Sequence, residues 1–141
     1  QRVSLVGEVA WIGVSDLPSI AEMPYGRNPI FGAPSNIAGG NPVDAGFVED
    51  SSWGYRFRAA ANYPNVFAGV ELTPSIAWAH DVSGTSPTPS FLDGRKAFSV
   101  ALGANYLTKY RASIAYTWFS GGVANPGKDR DFASFTVSMD F

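Results

Sequence analysis

Apolar side chains recur at every second position over long stretches of this chain, and they do so in six separate runs. The last run, FTVSMDF, sets Phe135, Val137, Met139 and Phe141 against Thr136, Ser138 and Asp140. Strict alternation puts successive side chains on opposite faces of a strand, so each run predicts a strand with one apolar and one polar face. The runs cover about residues 3–14, 52–63, 66–81, 95–107, 110–118 and 130–141. Each is about 9–12 residues or slightly more, the length of a tilted membrane-crossing strand. Strands of soluble proteins are nearer about 5–6 residues.

The connections alternate in length. Pro64–Asn65 predicts a tight turn between the second and third strands, and Thr108–Lys109 marks another between the fourth and fifth. Long connections run from Ser15 to Ser51, through VSGTSPTPSFLDG, and through SGGVANPGKD. Long loops at one end and short turns at the other are the pattern of an outer-membrane barrel. The expected fold is therefore all-β: an antiparallel up-and-down meander of six long strands, part of a porin-like transmembrane β-barrel, with long extracellular loops and short periplasmic turns. Residues 1–141 form a single barrel segment, with 15–51 as a long extracellular loop. Six strands fall short of the eight of the smallest common single-chain barrels. The chain is thus expected to be the C-terminal part of a longer barrel, giving an open sheet with two exposed edges.

Aromatic placement decides which solvent each face meets. Trp11, Trp53, Trp78 and Trp118 all fall at the long-loop end, while Tyr63, Tyr106, Tyr110 and Phe141 fall at the turn end. Two aromatic girdles around an aliphatic band are what the two interfaces of a bilayer select. A sandwich core, the competing reading, has no reason to sort its tryptophans to one end. Composition agrees: charged residues make up 16%, against about 25% in ordinary soluble domains. There is no cysteine, so no disulfide framework, and the formal net charge of −2 argues against nucleic acid.

The polar face would line a lumen, with Glu8, Arg56, Arg58, Glu71, Arg111 and Asp140 as its charges. A two-residue turn at Pro64–Asn65 would set Arg58 across from Glu71. Pro74 cannot donate to a ladder, so a bulge there is expected, with a flipped facing for Ile76, Trp78 and His80. Gly7, Gly54, Gly69 and Gly103 suggest bulges or close approach within strands. Opposed lumen charges both hold the wall in register and set the field of an aqueous pore. Val6, Ile12 and Phe132 share that face and leave room for apolar ligands.

No catalytic, cofactor or metal set is expected. His80 is the single histidine, with Ser75, Asp81 and Ser83 near it in sequence. Asp81, as its direct neighbour, points to the opposite face, and no G-x-S-x-G elbow occurs. An interfacial histidine bonded to the following turn is the ordinary reading, and a membrane-embedded hydrolase the minor one. Asp44, Glu49, Asp50, Asp129 and Asp131 read as solvated loop charge.

LTPSIAWAHDVSG (Leu72–Gly84), FLDGRKA (Phe91–Ala97) and DRDFASFTVS (Asp129–Ser138) resemble the C-terminal end of a proteobacterial outer-membrane family, domain of unknown function 1302. The likeness is closest from about Tyr63 to Phe141. It implies an integral outer-membrane barrel and a parent protein several times longer than this chain, and it brings no catalytic site. The terminal Phe135, Val137, Met139 and Phe141 resemble the signal by which barrels reach their assembly machinery, read by strand addition. The expected function is passive passage of small molecules, with outer-membrane lipid and lipopolysaccharide as surroundings. The alternative is a structural or interaction barrel acting through loop 15–51, whose Ile20, Met23, Tyr25, Ile30, Phe31 and Phe47 suit inward folding or docking.

Overall fold

Six strands pair in simple sequence order. In the computed structural model, which describes residues 1–26, 46–88, 90–122 and 125–141, they are β1 (Arg2–Gly13), β2 (Ser51–Phe67), β3 (Val70–Ser83), β4 (Lys96–Tyr106), β5 (Tyr110–Ser120) and β6 (Phe132–Met139). They form one antiparallel sheet in the order β1-β2-β3-β4-β5-β6, open at β1 and β6 among the described residues. The expected meander is present, and its two free edges are too. Ile30, Phe31 and Asp44 lie outside the described residues.

Register turns the alternation into two continuous faces. On the apolar face, Leu5, Ala59, Ile76, Val100, Tyr116 and Ala133 lie side by side across the six strands. The adjoining row carries Leu102, Ile114 and Phe135, and the next Leu72, Ala104, Ala112 and Val137. Towards the long loops this aliphatic band meets a row of Phe57, Trp78, Phe98 and Trp118. Phe98 stacks on Trp118 with ring centroids 5.5 Å apart, and the Trp78 indole donates to the Tyr55 hydroxyl at 3.3 Å. Trp11 and Trp53 pair further out, with the Trp11 indole donating to Ser51 Oγ at 2.9 Å. At the turn end, Tyr106 stacks against Tyr110 at 6.3 Å. Such cross-strand aromatic and β-branched pairs each contribute about 0.2–1 kcal/mol to the sheet.

Nothing among the described residues covers this face. Leu5, Val9 and Phe135 are 73%, 74% and 72% exposed, whereas a sandwich would bury them under a second sheet. The buried apolar side chains are Phe47, Val48, Phe91 and Leu92, and all four come from loops at the long-loop end.

The opposite face collects charge. Of the Asp, Glu, Lys and Arg residues inside the strands, Arg2, Glu8, Arg56, Arg58, Glu71, Asp81 and Arg111 share the parity of that face. Between them lie small residues: Ala77, Ser99 and Thr117 in one row, Ser75, Ala101, Ala115 and Ser134 in the next. Lys96 is the strand residue of formal charge on the apolar face, beside His80 in register.

Four local expectations are corrected. Pro64–Asn65 is not the hairpin turn: β2 continues to Phe67, which pairs with Val70 around Ala68 and Gly69. Both turn residues have positive φ, 48° and 82°, as a type I′ hairpin requires. Gly69 is thus a turn residue and not a strand glycine. Pro64, Asn65 and Val66 bulge out opposite Glu71, where the register shifts between Tyr63 and Phe67. Arg58 consequently faces Ala77, and Glu71 faces Asn105. Pro74 carries no bulge, because the register with β4 runs through it without a break. Ile76, Trp78 and His80 therefore keep the apolar parity. The second irregularity in β2 falls instead at Trp53/Gly54. A Cβ on Gly54 would sit 2.6 Å from the His80 carbonyl oxygen and 3.0 Å from the Phe91 ring, so close approach is the reason for that glycine.

The β2–β3 bulge is held by Asn65, at φ 53°, whose Oδ1 accepts the Gly69 N–H at 3.0 Å. Asn65→Ala loses the bond and leaves a Cβ residue in the left-handed region, costing about 1–2 kcal/mol. Asn65→Gly loses the bond but keeps the conformation at smaller cost. Urea unfolding of the protein measures the difference; equal costs would contradict the turn assignment.

Candidate functional site

The polar face carries two hollows. One, of about 360 Å³, is lined by Glu8, Arg56 and Arg58 over a floor that includes Ala77, Ala79, Ala97 and Ser99. The other, of about 340 Å³, lies nearer the turns among Thr73, Gly103, Asn105, Arg111, Ser113 and Thr136. Small side chains in the β3–β5 rows are what leave this space open.

Every predicted lumen charge within the strands falls on this one face, but they do not all pair. Arg111 and Asp140 form an ion pair at 2.8 Å, with both side chains 57% exposed, so it adds little to stability. Arg58, Glu8 and Glu71 make no ion pair among the described residues. Glu8 stands opposite Arg56 in register, yet Arg56 reaches Asp81 instead, at 3.7 Å.

Asp81 is the residue that sequence reasoning missed. It is 2% exposed and ends the polar face of β3. Its Oδ2 accepts from Arg95 Nε at 2.6 Å and from the Leu92 N–H at 3.1 Å. Its backbone N–H donates to the Arg95 carbonyl, and its carbonyl accepts from Gly94. Arg95 in turn donates to the Ser90 carbonyl at 2.9 Å. A buried carboxylate with two arginines and a backbone donor is compensated for its lost hydration. The consequence is mechanical: the β3–β4 loop is folded back over the end of the sheet, with the Phe91 ring over Gly54 on the polar face.

Further bonds complete this cap. Asp93 Oδ1 accepts from the Gly84 N–H at 3.2 Å, and Ser86 Oγ from the Phe91 N–H at 3.0 Å. The end of the long loop joins it, the Glu49 N–H donating to the Thr85 carbonyl at 3.0 Å. Phe47, expected to fold inward, is 2% exposed, while Ile20, Met23 and Tyr25 stay exposed. The sequence signal for this cap was FLDGR: an apolar pair followed by a turn glycine (Gly94, φ 72°) and an arginine.

His80 does not bond to the turn as expected; it packs edge-on against Tyr55 and Trp78, with centroids 5.6 and 6.2 Å away. Asp81 and Asp93 hold the turn instead. The girdle residues Trp53, Trp78, Trp118, Tyr106 and Tyr110 share the apolar face, as do Phe135, Val137 and Met139 on β6. Among the described residues no three His, Cys, Asp or Glu side chains converge as metal ligands.

Comparison with known proteins places the chain. A model of the family "Protein of unknown function (DUF1302)" matches residues 1–141. The chain belongs to that family. The match takes in the first half and its long loop, beyond the stretch from Tyr63 onward that carried the resemblance. No curated protein matches the chain. No solved structure matches it either. What DUF1302 chains do must therefore be argued from geometry.

Two predictions follow from the cap. Asp81→Asn leaves Arg95 and Arg56 without their carboxylate. It should loosen residues 84–95 at the lower end of the about 3–5 kcal/mol that breaking a buried pair costs, since both arginines reach solvent. Amide exchange at Leu92 reads this; unchanged protection would contradict it. Glu49, though exposed, has its pKa raised above the ordinary carboxylate value, by partial desolvation first and then by Asp93 and Asp50, with a Thr85 backbone hydrogen bond acting the other way. The docked cap thus favours protonated Glu49. Docking is strongest below the ordinary carboxylate value and weakens as pH rises through the raised one. Glu49→Gln should strengthen the cap at neutral pH and remove that dependence, read as Leu92 exchange corrected for its intrinsic pH dependence.

Proposed function

We propose that this chain is a wall segment of an outer-membrane β-barrel that passes small polar solutes, with the polar face as its lumen. The observation that carries this reading is the division of the sheet. One face is apolar, uncovered, and banded as aromatic, aliphatic and aromatic rows. The other bears every strand charge except Lys96 over a floor of Ala, Ser, Gly and Thr. In a bilayer the first face meets hydrocarbon and interface, and the ladders between neighbouring strands supply the backbone pairing that lipid demands. In water the same face would be a large exposed apolar patch, of the kind that drives aggregation.

The cap gives the pore a constriction at its long-loop end. Phe91 and Leu92 pack there, and Asp81 ties their loop down beside Arg56. Solutes pass the cap and then the arginine-bearing hollow. Selectivity comes from fixed charge in a narrow low-dielectric passage, and Arg58 supplies it most directly, because no carboxylate among the described residues neutralises it. A second reading, a barrel acting through its long loop on a surface partner, draws on the exposure of Met23 and Tyr25.

Single-channel recording of the full-length protein in planar bilayers tests the proposal. Stepwise conductance is expected, and Arg58→Glu should shift the reversal potential in a salt gradient towards cation selectivity. Arg58 is the cleaner site than Arg56, whose reversal would also repel Asp81. Silent membranes containing correctly inserted protein would overturn the pore reading, and stepwise conductance with an unchanged reversal potential would remove Arg58 from the lumen.

A further inference from the structure

The apolar face carries a single formally charged side chain within its strands, and its position is specific. Lys96 opens β4, one row beyond Trp78, Phe98 and Trp118 towards the long loops. In the same row stand His80 on β3 and Ser120 on β5, paired in register with Lys96 on either side. Tyr55 completes the row on β2, 5.6 Å ring to ring from His80.

Lys96 has no carboxylate partner among the described residues. Asp93, close before Lys96 in the chain, accepts the Gly84 N–H through its Oδ1, and Asp131, just before β6, accepts the Phe119 N–H through its Oδ1 at 2.8 Å. The other charged strand residues turn to the opposite face. An ammonium left unpaired at the rim of an apolar band is placed to meet an anion supplied from outside the chain. Facing strands set Cβ atoms about 4.5–5.5 Å apart, so an ammonium, an imidazole and a hydroxyl lie abreast over three strands. A phosphate group, with several acceptor oxygens, matches such a row of donors. The level fits as well: tryptophans mark the interface with the headgroups, and this row lies just outside them.

We propose that Lys96, flanked by His80 and Ser120, binds the phosphate of an anionic lipid in the leaflet on the long-loop side. The inference rests on the membrane reading above, and adds a defined lipid site to it. The lipid's acyl chains lie against Trp78, Phe98 and Trp118 while its phosphate meets Lys96. The site orients the segment by fixing the height of one rim at the headgroup plane.

The test uses the indoles as reporters. The full-length protein is reconstituted in phosphatidylcholine vesicles containing a minor fraction of brominated lipid, either brominated phosphatidylglycerol or brominated phosphatidylcholine. Bromine quenches tryptophan only in contact. The expected result is quenching by both, with the anionic lipid favoured about five-fold at equal mole fraction, the scale of one basic residue at an anionic surface. Lys96→Gln should bring the ratio to near unity, His80→Gln should lower it in part, and Lys96→Arg should restore it. Equal quenching by the two lipids in the natural protein, or a preference that survives Lys96→Gln, overturns the lipid site while leaving the membrane reading intact. Quenching by neither lipid overturns both.

Discussion

The structure depends on one constraint: six strands pair side by side in one sheet, while one face is apolar except for the row of Tyr55, His80, Lys96 and Ser120 at its long-loop end. A sheet of this kind has to find cover for that face. The described residues provide none, and what they bury instead is a small cluster of loop residues at one end of the other face. The division of charge follows from the same constraint. Arg2, Glu8, Arg56, Arg58, Glu71, Asp81 and Arg111 share one parity, away from the apolar rows. Lys96 escapes this only by lying past the tryptophan row.

Asp81 links the wall to the loops. Its carboxylate joins an arginine from β2, an arginine from the approach to β4 and the Leu92 amide. Through it the loop-end cap and the first hollow are linked, since Arg56 lines that hollow and also reaches Asp81. Gly54 makes the arrangement sterically feasible, since any side chain there would collide with the His80 carbonyl and the Phe91 ring. Glu49 works against the same unit at neutral pH, a strain that the cap's other bonds hold down.

Much of this was legible in the sequence, for a physical reason. Side-chain parity in a strand has period two, so the facing of Trp53, Phe98, Ile114 or Val137 could be read without knowing the register. Thr108 and Lys109 were placed correctly in the β4–β5 connection. The β2–β3 turn was not legible, because Pro64–Asn65 is a strong turn signal that here makes a bulge. The true turn, Ala68–Gly69, looks weaker on paper. That shift removed the Arg58–Glu71 pairing, since pairing depends on register where facing does not. Asp81's role was hidden for a related reason: its partner Arg95 is fourteen residues away across a folded loop, and alternation carries no information about loops. Phe47 was recognisable as an inward-folding residue by its apolar character, but Phe91 and Leu92 as its companions were not.

The central claim is that the two faces of this sheet meet different solvents. The chain has no cysteine, so single cysteines can be introduced and spin-labelled one at a time along β4, from Ala97 to Asn105, in the full-length protein reconstituted in lipid. Collision with oxygen reports lipid, and collision with a water-soluble nickel chelate reports water. Labels at positions 98, 100, 102 and 104 should favour oxygen, while those at 97, 99, 101, 103 and 105 should favour the chelate, in strict alternation. Equal access to the chelate on both faces, or no alternation at all, would contradict the account.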